Sequence, residues 1–241
     1  MKSLFVKDSP GRIQIIDGLR GLSILLMVAY HFGYDLILFA GAPPQLIDNP
    51  VLDVLQQFFA GVFIFLSGIS CRFSRNNLIR GLQMLGVAAV ITLVTWGFGM
   101  PVWFGIIHFL GTAAILFSLI RPVVDKISRP VQLLIYIVLH LCSLPFVARR
   151  YEISWLWWLG FRPAEWASAD YFPLLPWFFV YMAGTLAGAY IVERRLPEWF
   201  YTRKVPFLAA IGRNTMIIYI VHQPVLYVLT LIVRGIINSI A

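Results

Sequence analysis

The chain has 241 residues, of which 60% are hydrophobic and only 12% charged, and its mean hydropathy is +0.81. That balance lies far outside the range of soluble domains and indicates an integral membrane protein. A formal charge of +8 would suggest a nucleic-acid partner in a soluble chain, but here the placement of the basic residues explains the charge without one.

The hydrocarbon core of a bilayer requires about 20 apolar residues of helix. Lys2, Lys7 and Arg12 precede the first such run, Gly18–Ala40, and Ala40-Gly41-Ala42 mimics a signal-peptide cleavage site. The run is too long for a signal h-region and is interrupted by charges, so it reads as a retained span. Six more spans follow: Val51–Cys71, Gly81–Phe98, Val102–Ile120, Val131–Ala148, Phe172–Val192 and Asn214–Ile237. Pro43, Pro44, Pro50, Pro101, Pro122, Pro130, Pro197 and Pro206 punctuate the joins. The expected fold is an all-α bundle of about seven transmembrane helices forming one domain over residues 1–241. It has a basic N-terminal segment, 1–17, and one long loop, 149–171, whose "ISWLWWLGF" is too short to cross and lies along the interface.

Lys and Arg counts orient the chain. The N-terminus and the second-to-third, fourth-to-fifth and sixth-to-seventh loops hold all of them except Arg149, Arg150, Arg162 and Arg234. The rule that basic loops stay inside then predicts a cytoplasmic N-terminus and an outer C-terminus. Cys71 and Cys142 are too few for a disulfide framework and read as small buried hydrophobes. No C-x-x-C or His/Cys spacing suggests a metal.

The first span carries Asp17, Arg20, His31 and Asp35. At 100° per residue His31 falls about 20° from Arg20, and Asp17 and Asp35 each fall about 60° from it. The four therefore share one stripe. A charge facing lipid at mid-membrane costs at least ~2.5–3.5 kcal/mol, so the stripe must face the bundle interior or a watery cavity. Asp17 and Arg20 are i,i+3 neighbours at the cytoplasmic end, while His31 and Asp35 are i,i+4 neighbours about 16 Å further along. Two readings compete. In the structural one, Asp17–Arg20 is a terminal ion pair and His31 is hydrogen-bonded to a carbonyl. In the functional one, His31 is a general base or nucleophile whose tautomer Asp35 sets.

Three features favour the functional reading. His108, in "WFGIIHFLG", sits six residues into the fourth span at a depth comparable to His31. In "GRNTMIIYIVHQP", Thr215, Tyr219 and His222 share a face, and Pro224 deprives the Ile220 carbonyl of its helical donor, which opens the helix. Asn214 is placed to N-cap that last span. His140 has no polar companion at helical spacing and reads as structural.

"LRGLSILLMVAYHF" has an Arg and a His in the arrangement of the acyltransferase type 3 family. "FIFLSGISCRFSR", "WFGIIHFLG", "YFPLLPWFFVYMAG" and "GRNTMIIYIVHQPVL" more closely resemble small bacterial members of the heparan-alpha-glucosaminide N-acetyltransferase catalytic family, over roughly Arg12 to Leu229. The resemblance implies an enzyme of the bacterial inner membrane that takes an acetyl or longer acyl group from cytoplasmic acyl-CoA. The acceptor is an amine or hydroxyl at the outer side, often of a sugar or glycoconjugate. His31 and Arg20 match the catalytic His and the Arg of the ten-residue-spaced acyltransferase type 3 motif, and Asn214 and His222 match the Asn and His of the terminal motif. The lysosomal member has a histidine in the loop after its first core helix, a proposed acetyl carrier, but Gly41–Pro50 contains none. Either His31 takes that role or transfer is direct. The lysosomal enzyme's large lumenal region is also missing, which disfavours heparan as acceptor.

On this reading His31 and Asp35 act on the acceptor, and His108 and His222 hold the acceptor or stabilise an oxyanion. Arg20, Arg72, Arg75, Arg213 and Asn214 meet acetyl-CoA, although positive-inside topology explains the loop arginines equally well. Trp155, Trp157, Trp158 and Trp166, with Arg162 and Glu165, read either as a sugar platform or as an interfacial belt. The rival functions are a transporter or flippase using the buried His and Asp groups, and a non-catalytic scaffold. Homodimer formation stays open, because lipid-facing and subunit-facing apolar surfaces look alike.

Overall fold

The computed structural model describes residues 11 to 240; Lys2 and Lys7 of the basic N-terminal segment lie outside the described residues. Among the described residues there is no strand, only two isolated bridges, Phe104 with Tyr171 and Arg150 with Arg162. The helices are α1 (Gln14–Ala40), α2 (Pro50–Phe73), α3 (Asn77–Gly97), α4 (Ile106–Val124), α5 (Arg129–Val147), α6 (Leu174–Val192), α7 (Glu198–Thr202), α8 (Pro206–Arg213) and α9 (Thr215–Ile240). Seven of these, α1 to α6 and α9, are long and apolar enough to cross a membrane, in agreement with the seven expected spans.

The ends of the helices follow local chemistry. Gly41 closes α1 in the left-handed region at φ 74°, where a side chain would be strained, and its N–H returns to the Leu36 carbonyl. Asn76 caps α3 by accepting the Ile79 N–H at 3.0 Å. Pro50, Pro130 and Pro206 sit in first turns, where a missing N–H costs nothing. Pro224, expected to open the last span, instead lies inside the uninterrupted α9. The proline removes one donor, and the neighbouring turns of this long helix carry the chain through.

The fourth span begins later than its apolar run suggests. Val102–Gly105 stays outside the helix, with the Phe104 carbonyl accepting from the Phe172 N–H and Asp170 Oδ2 accepting from the Ile106 N–H at 2.9 Å. A carboxylate about sixty positions away in the chain thus caps α4 and marks its start. His108 is consequently the third residue of α4, in its first turn, and not six residues deep. The Asp170→Ala variant is expected to lose about 0.5–2 kcal/mol, the usual cost of a lost cap, read as a lower unfolding midpoint in detergent.

The chain clusters into two compact units, one formed by residues up to Phe63 together with those from Leu196 onward, the other by Ile64–Arg195. In the first, α1 packs on α8 and α9. Gly21 and Gly212 permit the α1–α8 approach: a Cβ on Gly21 would overlap the Leu208 carbonyl oxygen, and one on Gly212 would overlap that of Asp17. In the second, α3 packs on α4 and α5 on α6. There a Cβ on Gly81 would lie 2.7 Å from the Gly111 carbonyl oxygen and one on Gly111 would lie 3.0 Å from that of Gly81. Small residues allow this because lipid supplies no hydrophobic drive between helices and close backbone contact must do the packing.

Exposed Leu19, Leu22, Leu25 and Leu26 cover the remaining faces of α1, as lipid-facing side chains would. Cys71 is buried as expected; Cys142 is exposed on α5, which corrects its reading as a buried residue. The segment 193–213, expected as a plain loop, contains α7 and α8.

Candidate active site

The polar stripe of α1 divides into two clusters within the first unit. At its start Asp17 is buried and accepts from Arg12 Nε and Nη2 at 2.8 and 3.0 Å, and from Arg20 Nη1 at 3.1 Å. Arg20 therefore makes the ion pair expected from its i,i+3 spacing, and Arg12 joins it from before the helix. Arg213 ends α8, and Asn214 Nδ2 donates to the Ala210 carbonyl at 2.8 Å, so this amide turns back towards α8.

Further along α1, His31 meets α9. Its ring lies edge-on to that of His222, with centroids 5.1 Å apart, and the Tyr219 ring centroid is 5.5 Å from that of His222. His31 Nδ1 is 2.9 Å from the Met27 carbonyl and His222 Nδ1 is 2.6 Å from the Tyr219 carbonyl. A carbonyl oxygen only accepts, so both Nδ1 atoms carry the proton. In the neutral rings each Nε2 then presents a lone pair, the form required of a base or nucleophile. A neutral His222 in this tautomer presents an acceptor at Nε2 for an N–H or O–H.

Asp35 is only 1% exposed. Its Oδ1 and Oδ2 accept from Gln223 Nε2 at 2.9 and 3.1 Å, tying α1 to α9. The tautomer of His31 is set by its own helix through Met27, not by Asp35 as the i,i+4 spacing suggested. A ring nitrogen on a helix reaches the i−4 carbonyl first. Asp35 still lies within electrostatic range of His31. Gln223 had no signal in the sequence beyond standing next to His222, because its partner is 188 positions away.

His108 belongs to the second unit. Its Nε2 is 3.0 Å from Thr92 Oγ1, whose hydroxyl donates to the Val102 carbonyl at 2.6 Å. With that proton committed, the hydroxyl accepts, so His108 carries its proton on Nε2, the opposite tautomer to His31 and His222. His140 Nδ1 is 3.3 Å from the Pro176 carbonyl, a helix-to-helix tie consistent with a structural role. Arg72 donates through Nε to the Thr185 carbonyl at 2.9 Å and through Nη1 to Asp125 at 2.7 Å, with its guanidinium over Phe117. Arg75 is exposed in the bend between α2 and α3. Among the described residues no group of three or more His, Cys, Asp or Glu is arranged to hold a metal.

The long loop forms a continuous aromatic packing. Phe104 stacks on His108 and meets Trp157 edge-on, Trp157 stacks on Trp166, Trp166 meets Tyr171, and Arg162 lies 5.1 Å over the Tyr171 ring. Trp155 remains 68% exposed. Trp157, Trp166 and Tyr171 thus spend much of their faces on one another, which favours a packed interfacial segment over an open sugar platform. Burial pushes the Tyr171 phenol up to about 12, while Arg162 and Arg150 oppose the shift. An unfolded phenol titrates near 10. The contribution of Tyr171 to stability is therefore constant below pH 10 and declines as pH rises from about 10 towards 12, because the unfolded chain gives up its proton first. In alkaline absorbance titrations, the difference between wild type and Tyr171→Phe should be a tyrosinate appearing late.

These features define a multi-pass helical membrane protein with a histidine pair and a buried, hydrogen-bonded carboxyl group between its first and last long helices. The family model for heparan-alpha-glucosaminide N-acetyltransferase, catalytic, matches residues 12–224, and the chain belongs to this family. Membership implies membrane acetyltransferase activity and a family that in general uses acetyl-CoA. No curated protein and no solved structure matches the chain.

Proposed function

We propose that the whole chain acts as one catalytic domain that moves an acetyl or longer acyl group from cytoplasmic acyl-CoA to a sugar amine or hydroxyl at the outer side. The N-terminus is cytoplasmic and the C-terminus outside, in a bacterial inner membrane. The observation that carries this reading is the His31 ring: its Nδ1 is held by the Met27 carbonyl, so its Nε2 lone pair is available beside His222. In direct transfer, His31 Nε2 takes the acceptor's proton as the acceptor attacks the thioester carbonyl. The new C–N or C–O bond forms, the C–S bond breaks, and the CoA thiolate leaves and is reprotonated. In the two-step form, Nε2 itself attacks, CoA leaves, and the acyl-imidazole passes its acyl group to the acceptor.

His222 accepts the acceptor's second hydrogen bond, and Asp35, held by Gln223, keeps a buried carboxyl near the imidazolium that forms. Arg20, Arg213 and Asn214 in the first unit, and Arg72 and Arg75 in the second, are each candidates to meet the donor, a reading supported within each unit by the basic residues near these helix ends. A transporter would use the same His and Asp groups without breaking a thioester. Purified protein with acetyl-labelled CoA and a panel of amino sugars separates the two: the enzyme gives labelled acceptor or free CoA. Sugar flux into vesicles with the thioester intact would overturn the acyltransferase reading.

A further inference from the structure

A cavity of about 350 Å³ opens among the ends of α2, α4 and α6 and the start of α5, all within the second unit. Three guanidiniums line it, Arg72, Arg121 and Arg129, against two carboxylates, Asp125 and Glu193. Asp125 holds two of them side by side, Arg72 Nη1 on Oδ1 at 2.7 Å and Arg121 Nε on Oδ2 at 3.3 Å. Glu193 holds Arg129. Positive-inside topology accounts for basic residues at these helix ends but does not require them to converge. It also does not require Arg72 to be buried, and its side chain is only 7% exposed.

A guanidinium carries five N–H donors. Asp125 and the Thr185 carbonyl occupy Arg72 through Nη1 and Nε, and Asp125 occupies Arg121 through Nε. The Arg72 Nη2 and both terminal nitrogens of Arg121 retain donors. One positive charge in the cavity also remains unmatched. Planar forks held in a fixed relation suit a tetrahedral oxyanion that accepts several charge-assisted hydrogen bonds at once.

We infer that this cavity is a phosphate-binding site, with Arg72 and Arg121 as the donor forks, Asp125 as the carboxylate with which a bound phosphate competes for them, and Arg129 at the rim. Two sources supply the same chemistry, the phosphates of coenzyme A and the headgroup of an anionic phospholipid. The first source rests on the acyl-CoA reading above, and the second does not.

The test uses full-length protein in nanodiscs of phosphatidylcholine, titrated with CoA, and in parallel with phosphatidylglycerol in the disc. Arg121→Gln removes a fork, whereas Asp125→Asn removes the competing carboxylate. Both side chains are about two-fifths exposed, so neither change disturbs the core. Arg121→Gln should weaken binding about tenfold and Asp125→Asn should tighten it, both effects shrinking with added salt. Opposite shifts with CoA assign the site to the donor; opposite shifts with phosphatidylglycerol alone assign it to lipid. If wild type binds CoA and neither variant alters CoA or lipid binding, this inference is overturned while the acyltransferase reading stands. If wild type binds no CoA, the donor reading fails, and the phosphate site stands only if the lipid arm shows the opposite shifts.

Discussion

His31→Ala is expected to lower acyl transfer by about 10²–10⁴-fold while leaving the protein folded. The ring lies partly exposed between α1 and α9, and its hydrogen bond goes to a carbonyl within its own helix, so removal costs the edge-on contact with His222 but breaks no hydrogen bond between elements. On the proposed mechanism the loss should appear in turnover, with CoA binding little changed, because His31 would act on the acceptor and not on CoA. His31→Gln offers a sharper comparison, since an amide fills similar space without a basic nitrogen. Wild-type rates from either variant would remove His31 from the reaction. Capture of a labelled, acid-sensitive acyl-protein in the wild type and its absence in His31→Ala would favour the two-step route over direct transfer. On the same mechanism His222→Ala should reduce transfer less, because its proposed part is to orient the acceptor without taking the proton.

The second large effect is structural. Gly212→Val is expected to destabilise the first unit by more than the ~1–3 kcal/mol usual for overpacking, since the clash falls on backbone and not on a side chain able to rotate away. The added Cβ would overlap the carbonyl oxygen of Asp17, the residue that Arg12 and Arg20 share. Relief requires α8 to leave α1, which also moves the Asp17–Arg20 cluster. A thermal melt in detergent should show a large fall in midpoint, accompanied by weaker CoA binding if Arg20 meets the donor. Gly86→Ala is the matched control. Nothing lies near the Cβ it would add on α3, and alanine is the better helix former by roughly 0.5–1 kcal/mol, so its midpoint should hold or rise. Equal losses in the two variants would contradict the close α1–α8 contact.

Much of the architecture was legible in the residues because the bilayer constrains a chain so strongly. A spanning segment must satisfy its own backbone and present apolar side chains, so length and hydropathy alone located seven helices. The α1 stripe was legible for the same reason, since helical periodicity puts Asp17, Arg20, His31 and Asp35 on one side and lipid excludes that side. The i,i+3 pairing of Asp17 with Arg20 followed directly. Family membership came from the order of short motifs along the chain, and a model match over residues 12–224 agrees with it.

Partners across helices were not legible. Periodicity says which face a residue occupies but not which residue of another helix stands opposite. Asp35 found Gln223, His108 found Thr92, and α4 was capped by Asp170, each through contacts that depend on how helices cross and how far they slide along one another. The protonated nitrogen of each histidine was beyond the sequence as well. It depends on a few tenths of an ångström between a ring nitrogen and a carbonyl, as Met27 shows for His31 and Tyr219 for His222. The sequence by itself thus determined a seven-span acetyltransferase-family protein with buried charge on its first helix. Only the tertiary structure decided which lone pairs that helix offers and which groups hold them, because hydrogen bonds are directional and short-ranged while hydropathy is neither.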